Sequence, residues 1–350
     1  MGVCDWVGVR STAKKTFGEA FGAATVAGSA GLGFHNWPSG HIPQDTAPNP
    51  LLRIRSPAKK TFGEAFGAAT GVSDHAVLQK CLWMHVDLTS IDELTNALSR
   101  SGSDGLNCVE GFSFGAAMEL AVWVEDQKYT SSFVGEWSKR SRPLNEAMRL
   151  LRGGQSWEPQ KVHELAWDGM RPIRSRQCIS QQHIGWNRFL ERFAAALKAA
   201  GFVNGWNQAM AGVLGEMADN VVQHSTLGSG KALNGIVGYS VSTRRMAFTV
   251  ADSGIGAVQS LKDNPLYAQI TNGREALELI ARKKASRRAG QAQGNGFKDL
   301  FIKLAAMNGR VRLRSADGLF SMTGNLGGCV PVMKCLHAVE GFHVSVECEI

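Results

Sequence analysis

Residues 234–254 read NGIVGYSVSTRRMAFTVADSG, two apolar runs of strand length around a short polar turn. Enrichment in Val, Ile, Tyr and Phe on either side of such a turn predicts an antiparallel hairpin. Helical patterns flank it. WNRFLERFAAALKAAGF (186–202) predicts an amphipathic helix with a glycine stop at Gly201, and WNQAMAGVLGEMADNVVQHS (206–225) predicts a second. Further on, REALELIARKK reads as a helix inside a long connection, and FKDLFIKLAAMNG places Phe297, Leu300, Phe301 and Leu304 on one helical face. RVRLRS and LFSM flank an Asp-Gly turn, and FHVSVECEI alternates Val344, Val346, Cys348 and Ile350 as a closing strand. Together these predict an α/β fold: a two-layer sandwich in which helices cover one face of a mixed, largely antiparallel sheet.

This pattern occupies 183–350. Ahead of it, 76–180 predicts a small α/β module: the apolar run CLWMHVDL, the capped helix TSIDELTNALSRSG, and the helical stretch GAAMELAVWVEDQ. Residues 1–75 read as a poorly structured leader carrying AKKTFGEAFGAAT twice without a change, at Ala13–Thr25 and Ala58–Thr70. Structural repeats drift and stack in threes or more, so two identical copies point to a recent duplication or an assembly fault. In KVHELAWDGMRP, His163 lies too near the Asn220 region to leave room for the dimerisation hairpin of a sensor histidine kinase, and it reads as an ordinary helix histidine.

A hydrophobic content of 44% with 19% charged residues is that of a soluble globular protein. The net charge of +8 suits phosphate-bearing partners or solubility alone. Without a basic tail it does not single out nucleic acid. The seven cysteines are scattered, with no C-x-x-C and no zinc-ligand spacing, as expected of thiols in a reducing compartment. No apolar run reaches membrane-spanning length. The expectation is a cytoplasmic protein with no membrane partner.

Three motifs carry chemistry. On the helix over 206–225, Met210, Leu214, Met217 and Val221 share one side, and Glu216, Asp219, Asn220 and Gln223 the other. Such a polar stripe can be a solvated face. Equally, a carboxamide can offer a neutral oxygen to a magnesium ion that bridges phosphates, and a carboxylate one turn away can orient or deprotonate a nucleophile. VADSGIGA (250–257) ends a strand in D-x-G-x-G: Asp252 can accept a hydrogen bond from a ligand amine, while Gly254 and Gly256 permit a tight turn and close ligand approach. GQAQGNGF (290–297) leads Gly294 and Gly296 into a helix, where free N–H groups suit a phosphate. It lacks the Lys-Ser/Thr of a P-loop.

The order of these motifs (E-x-x-x-N helix, strand into D-x-G-x-G, long loop, G-x-G opening a helix) resembles the GHKL, or histidine kinase-like, ATPase superfamily, whose ATP-binding domain has the Bergerat fold. The resemblance covers 183–350 and is closest in style to the bacterial anti-sigma-factor serine kinases. It implies that Asn220 coordinates Mg2+ and that Glu216 acts as the catalytic base or positions water. Asp252 would recognise adenine, Gly254 and Gly256 would line the base pocket, and Gly294 and Gly296 would cradle phosphates. Residues 257–293 would form a mobile lid, with Arg287 and Arg288 near the phosphate charge. One departure stands out: near the final strand the family has Gly-Thr, and this chain has Gly341-Phe342. His224 is expected to serve in local packing or a hydrogen bond.

The resemblance therefore implies ATP and Mg2+ as cofactors and an enzyme, a kinase or ATPase. It would act in signal transduction on a regulatory protein partner, by phosphotransfer to a protein serine or by ATP-driven switching, with homodimerisation open. The alternatives are a histidine-kinase-like signalling protein and a non-catalytic, ATP-gated interaction module.

Overall fold

The computed structural model describes residues 84–101, 109–128, 132–154, 161–163, 166–180, 182–202, 205–225, 233–283, 285, 300, 304, 308–325 and 328–349. The leader with its duplicated segment, the segment holding Arg287, Arg288, Gly294 and Gly296, and all of the helix expected after it except Leu300 and Leu304 lie outside them.

A β-α-β unit comes first. Strand β1 (Met84–Val86) leads into helix α1 (Ile91–Ser101), and strand β2 (Val109–Phe112) returns parallel to β1. The Asp87 carboxylate accepts the Thr89 and Ser90 N–H groups, fixing the turn into α1, whose first turn carries Asp92 and Glu93. Three helices follow, α2 (Phe114–Asp126), α3 (Ser132–Arg140) and α4 (Arg142–Leu151). Ser113 caps α2 through the Ala116 N–H. Ser141 caps α4, with Pro143 in its first turn where no N–H is needed.

Among the described residues the main sheet is antiparallel throughout, with six strands in the order β3-β4-β5-β6-β8-β7. They are β3 (Lys161–His163), β4 (Ala166–Ile173), β5 (Gly235–Ser242), β6 (Arg245–Asp252), β7 (Asn308–Asn325) and β8 (Gly328–Glu349). Between β4 and β5 lie helices α5 (Ile184–Ala199) and α6 (Trp206–His224); between β6 and β7 lie α7 (Gly256–Lys262) and α8 (Gly273–Lys283). The hairpin β5–β6, the helices α5, α6 and α8, and the closing alternation through Cys348 follow the expected pattern. Gly201 ends α5 in a left-handed turn at φ 93°, which a side chain would resist.

Alternation along the strands gives the sheet two unlike faces. Val237, Tyr239, Val241, Met246, Phe248, Val250, Val311, Leu313, Val344 and Val346 point to the face that carries α5 to α8 and are buried with Phe189, Phe193, Met210, Leu214, Leu261 and Leu277. Phe193 stacks on Tyr239 at 4.7 Å and meets Phe248 edge-on at 6.2 Å. The opposite face is covered by α1, α2 and α4, with Met118, Leu120, Met170, Ile236 and Ala251 in one apolar cluster. Gly238 permits this approach, since a Cβ there would lie 2.9 Å from the Met118 sulfur.

Four expectations change. Helices cover both faces of the sheet, because α2 is apolar nearly all round and buries itself against β5 and β6. His163 lies on strand β3 and not on a helix; the alternating segment after it pairs along its whole length with β5. Asp317-Gly318 makes no turn: β7 runs straight through it. The extra residues lie on the partner strand: β8 bulges opposite Arg314–Gly318, with two register shifts there and Ala316 at φ 47°. β3 and β4 also place part of the main sheet before residue 183. No helix among the described residues is long and apolar enough to cross a membrane.

Candidate functional site

Asp252 is the last residue of β6 and pairs with Phe342 of β8. It is 1% exposed and lies on the side of the sheet that faces α6. Its Oδ1 accepts the Gly254 N–H at 2.7 Å, while Oδ2 is buried with no hydrogen-bond partner among the described residues. Burial pushes the carboxyl up to about 6, against the opposing pull of the Ser225 hydroxyl, the Gly254 and Phe342 N–H groups and His343. Ser225 stands near enough to act on the charge without making a hydrogen bond of good geometry to Oδ2.

The D-x-G-x-G turn is held by close backbone contact. Ile255 donates its N–H to the Ser225 carbonyl at 2.9 Å, and a Cβ on Gly254 would lie 2.3 Å from that oxygen. Gly254 thus seats the turn on the C-terminal end of α6. Gly256 has φ 71° and faces Ser315 and Gly341. Gly341, at φ 74°, lies so close to Asp252 that a Cβ would meet the Asp252 carbonyl oxygen at 1.7 Å. The Gly341-Phe342 pair, which stands where the family has Gly-Thr, therefore packs on the Asp252 backbone, with the Phe342 N–H near its carboxylate. A hydroxyl is supplied nearby by Ser315, which donates to the Gly341 carbonyl at 2.6 Å and accepts the Ala257 N–H at 2.9 Å.

Helix α6 buries Met210, Leu214, Met217 and Val221, which turns Glu216, Asp219, Asn220 and Gln223 away from the core. Glu216 is exposed, Asn220 is half-buried, and Gln223 donates to the Asp219 carboxylate. Ser225, against the Asp252 turn, follows Asn220 by five residues and Glu216 by nine. At a 1.5 Å rise these side chains stand roughly 7.5 and 13.5 Å back along the helix axis. His224 joins Ser260 of α7 at 3.1 Å, the local hydrogen bond expected of it.

The first part of the expected lid, 257–283, is folded as α7 and α8 and docked on β7. Leu261, Ile270, Ala276 and Leu277 are buried, and the Asp317 carboxylate accepts the Gly273 N–H at 2.6 Å. Asp252, Gly254, Gly256 and the end of α6 are thus brought together, with Asn220 and Glu216 in line along the same helix. Sequence reading missed Ser225, Ser315 and the contact of Gly341 with Asp252; the glycine directly ahead of the closing strand was the available signal.

Chemically, the arrangement offers a buried carboxylate oxygen awaiting an N–H donor, a carboxamide, and an exposed carboxylate along one helix. Among the described residues no three His, Cys, Asp or Glu side chains converge as a metal cage. A metal held here would need a ligand's own oxygens beside Asn220. No protein-family model matches the chain, and no curated protein matches it.

Proposed function

We propose that the chain binds Mg-ATP with a Bergerat-type domain and works as a regulatory kinase or ATPase. The observation that carries the reading is Asp252 Oδ2, a buried acceptor lacking a partner at the end of a strand. An unpaired buried acceptor is costly and is resolved when a ligand amine donates to it. The adenine amino group is such a donor. Because Asp252 is buried, its entry requires part of the surrounding packing to move.

The remaining residues fit the same ligand. Asn220 presents a neutral oxygen suited to a magnesium ion that keeps most of its waters and shares phosphate oxygens. Glu216, exposed one turn earlier, is placed to orient or deprotonate a hydroxyl or water. Bound ATP supplies a transferable phosphoryl group; the chain orients it and manages the acceptor's proton. His163 on a strand speaks against a histidine-kinase phosphoacceptor, since the family presents that residue on a helix. Glu216 favours a serine protein or water as the acceptor.

Calorimetric titration with Mg-ATP, combined with a turnover assay, tests this. Wild type is expected to bind and turn over, Asp252→Asn to lose at least tenfold in affinity, and Glu216→Ala to bind without turnover. Unchanged affinity in Asp252→Asn removes the site. Binding without turnover in wild type leaves the ATP-gated interaction module.

A further inference from the structure

Between the sheet and helices α1 and α2 lies a buried ionic core. Arg312 grips Asp92 with both terminal nitrogens, each at 2.8 Å, and its Nε donates to Glu119 at 3.2–3.3 Å. Arg314 Nε donates to Asp92 Oδ1 at 2.9 Å. Ser345 donates to Glu119 at 2.7 Å and meets Thr249 at 3.1 Å, and His343 Nδ1 stands 4.0 Å from Glu119. Of these groups only His343 acts on the candidate site, through its charge near Asp252.

Arg314 reaches further. Its Nη1 donates to the carbonyls of Ala316 and Gly318 at 2.9 Å each, and its Nη2 to the carbonyl of His337 at 2.6 Å. One guanidinium therefore ties Asp92 of the helical layer to both strands at the β8 bulge. Successive strand residues point to opposite faces. Ser315, next in the chain, binds Ala257 and Gly341 on the far face, and Asp317 binds the Gly273 N–H that opens α8. The bulge is in backbone contact with α8: a Cβ on Gly273 would meet the Ser315 carbonyl at 2.2 Å. Gly341 in turn abuts Asp252.

From this contiguous set of bonds we infer that Arg314 is a positioning residue: it transmits the docking of α1 and α2 to the Asp252 turn and the start of α8. Regulation of the site then enters from the back of the sheet, by whatever loosens or tightens the hold of Asp92. The bulge is the coupled element, because its shape is set by Arg314 on one face and read by Ser315 and Asp317 on the other. The functional consequence rests on the ATP reading above; the mechanical coupling does not.

Hydrogen exchange followed by amide resolves the two. In Asp92→Asn the Ala257 and Gly273 amides are expected to exchange at least tenfold faster, with Tyr239 at the wild-type rate and Mg-ATP affinity at least fivefold weaker. Arg314→Lys keeps a charge for Asp92 but cannot hold three carbonyls, so the same two amides are expected to quicken while those of α2 do not. Should Asp92→Asn fail to fold, Arg314→Lys decides; Ser315→Ala, which removes the Ala257 bond itself, gives the rate that full loss of that bond produces. Wild-type rates at Ala257 and Gly273 in Arg314→Lys, or acceleration shared equally with Tyr239, overturn the inference. If wild type binds no ATP, the nucleotide reading fails while the exchange rates still decide the coupling.

Discussion

The two faces of the six-stranded sheet are held by different physics. Under α5 and α6 the contacts are aromatic and aliphatic, non-directional and tolerant of small shifts. Under α1 and α2 part of the interface is a set of buried charges with fixed donors and acceptors. Charges out of water are stable only when every partner is in place, so this face specifies one register of docking and not merely contact. The apolar face carries stability, and the ionic face carries fit.

The sharpest break of that contrast is Arg312→Met. It leaves Asp92 and Glu119 buried without their shared cation, and should cost about 4 kcal/mol in urea unfolding. Replacing Asp92, Glu119, Arg312 and Arg314 together by apolar residues should cost less than the single change; a larger loss would mean the charges are net stabilising.

Acid gives a second test, of about 3 kcal/mol. Burial alone would raise the Glu119 carboxyl, but Arg312, His343 and Ser345 outweigh it and hold it at about 2. Asp92 is lowered likewise, its burial outweighed by Arg312 and Arg314. A depressed carboxylate stabilises above its unfolded pKa, and that stability is lost as pH falls from about 4.5 to about 2. Leu214→Ala, fully buried on the apolar face, should cost about 3 kcal/mol with no dependence on pH over that window.

Asp252 has the opposite sign. Its pKa is raised, so folding is favoured while it is protonated, and that advantage fades as pH rises from about 4 to about 6. At pH 7 Asp252→Asn should therefore stabilise the unliganded protein by on the order of 2 kcal/mol while losing the ligand. Thermal unfolding reads the first effect; a destabilised variant would show that the carboxylate is already satisfied. Nucleotide affinity in wild type should weaken below about pH 6. Smallest is the exposed pair of Arg245 and Glu349, 3.0 Å apart, where Arg245→Ala should change stability by less than about 0.5 kcal/mol.

The apolar face was largely legible in the sequence, because periodicity is a local signal. Met210, Leu214, Met217 and Val221 announced their side of α6, and Gly201 its stop before it. The ionic face was not, because Asp92 and Arg314 meet across 222 residues. Asp92 reads as an ordinary first-turn acid. A lone Glu119 in the apolar run GAAMELAVWV, and arginines alternating with Val311 and Leu313, were the traces of a strand buried on both sides. Asp317-Gly318 misled because turn chemistry also suits a bulge, where only the partner strand's register distinguishes the two. Of the candidate site, Asp252 and α6 were legible as motifs; the packing of Gly341 against Asp252 was not, being a contact between distant backbone segments.

The strand order has a consequence for synthesis. β8, which follows β7 in the chain, fills an interior place between β6 and β7. While a ribosome is still making β8, β7 has no neighbour to pair with, and Arg312 and Arg314 cannot be delivered to Asp92 and Glu119. The nascent protein must hold Asp92 and Glu119 without their arginines until β8 has paired with β6 and carried β7 into place, so the ionic face is built after the apolar one.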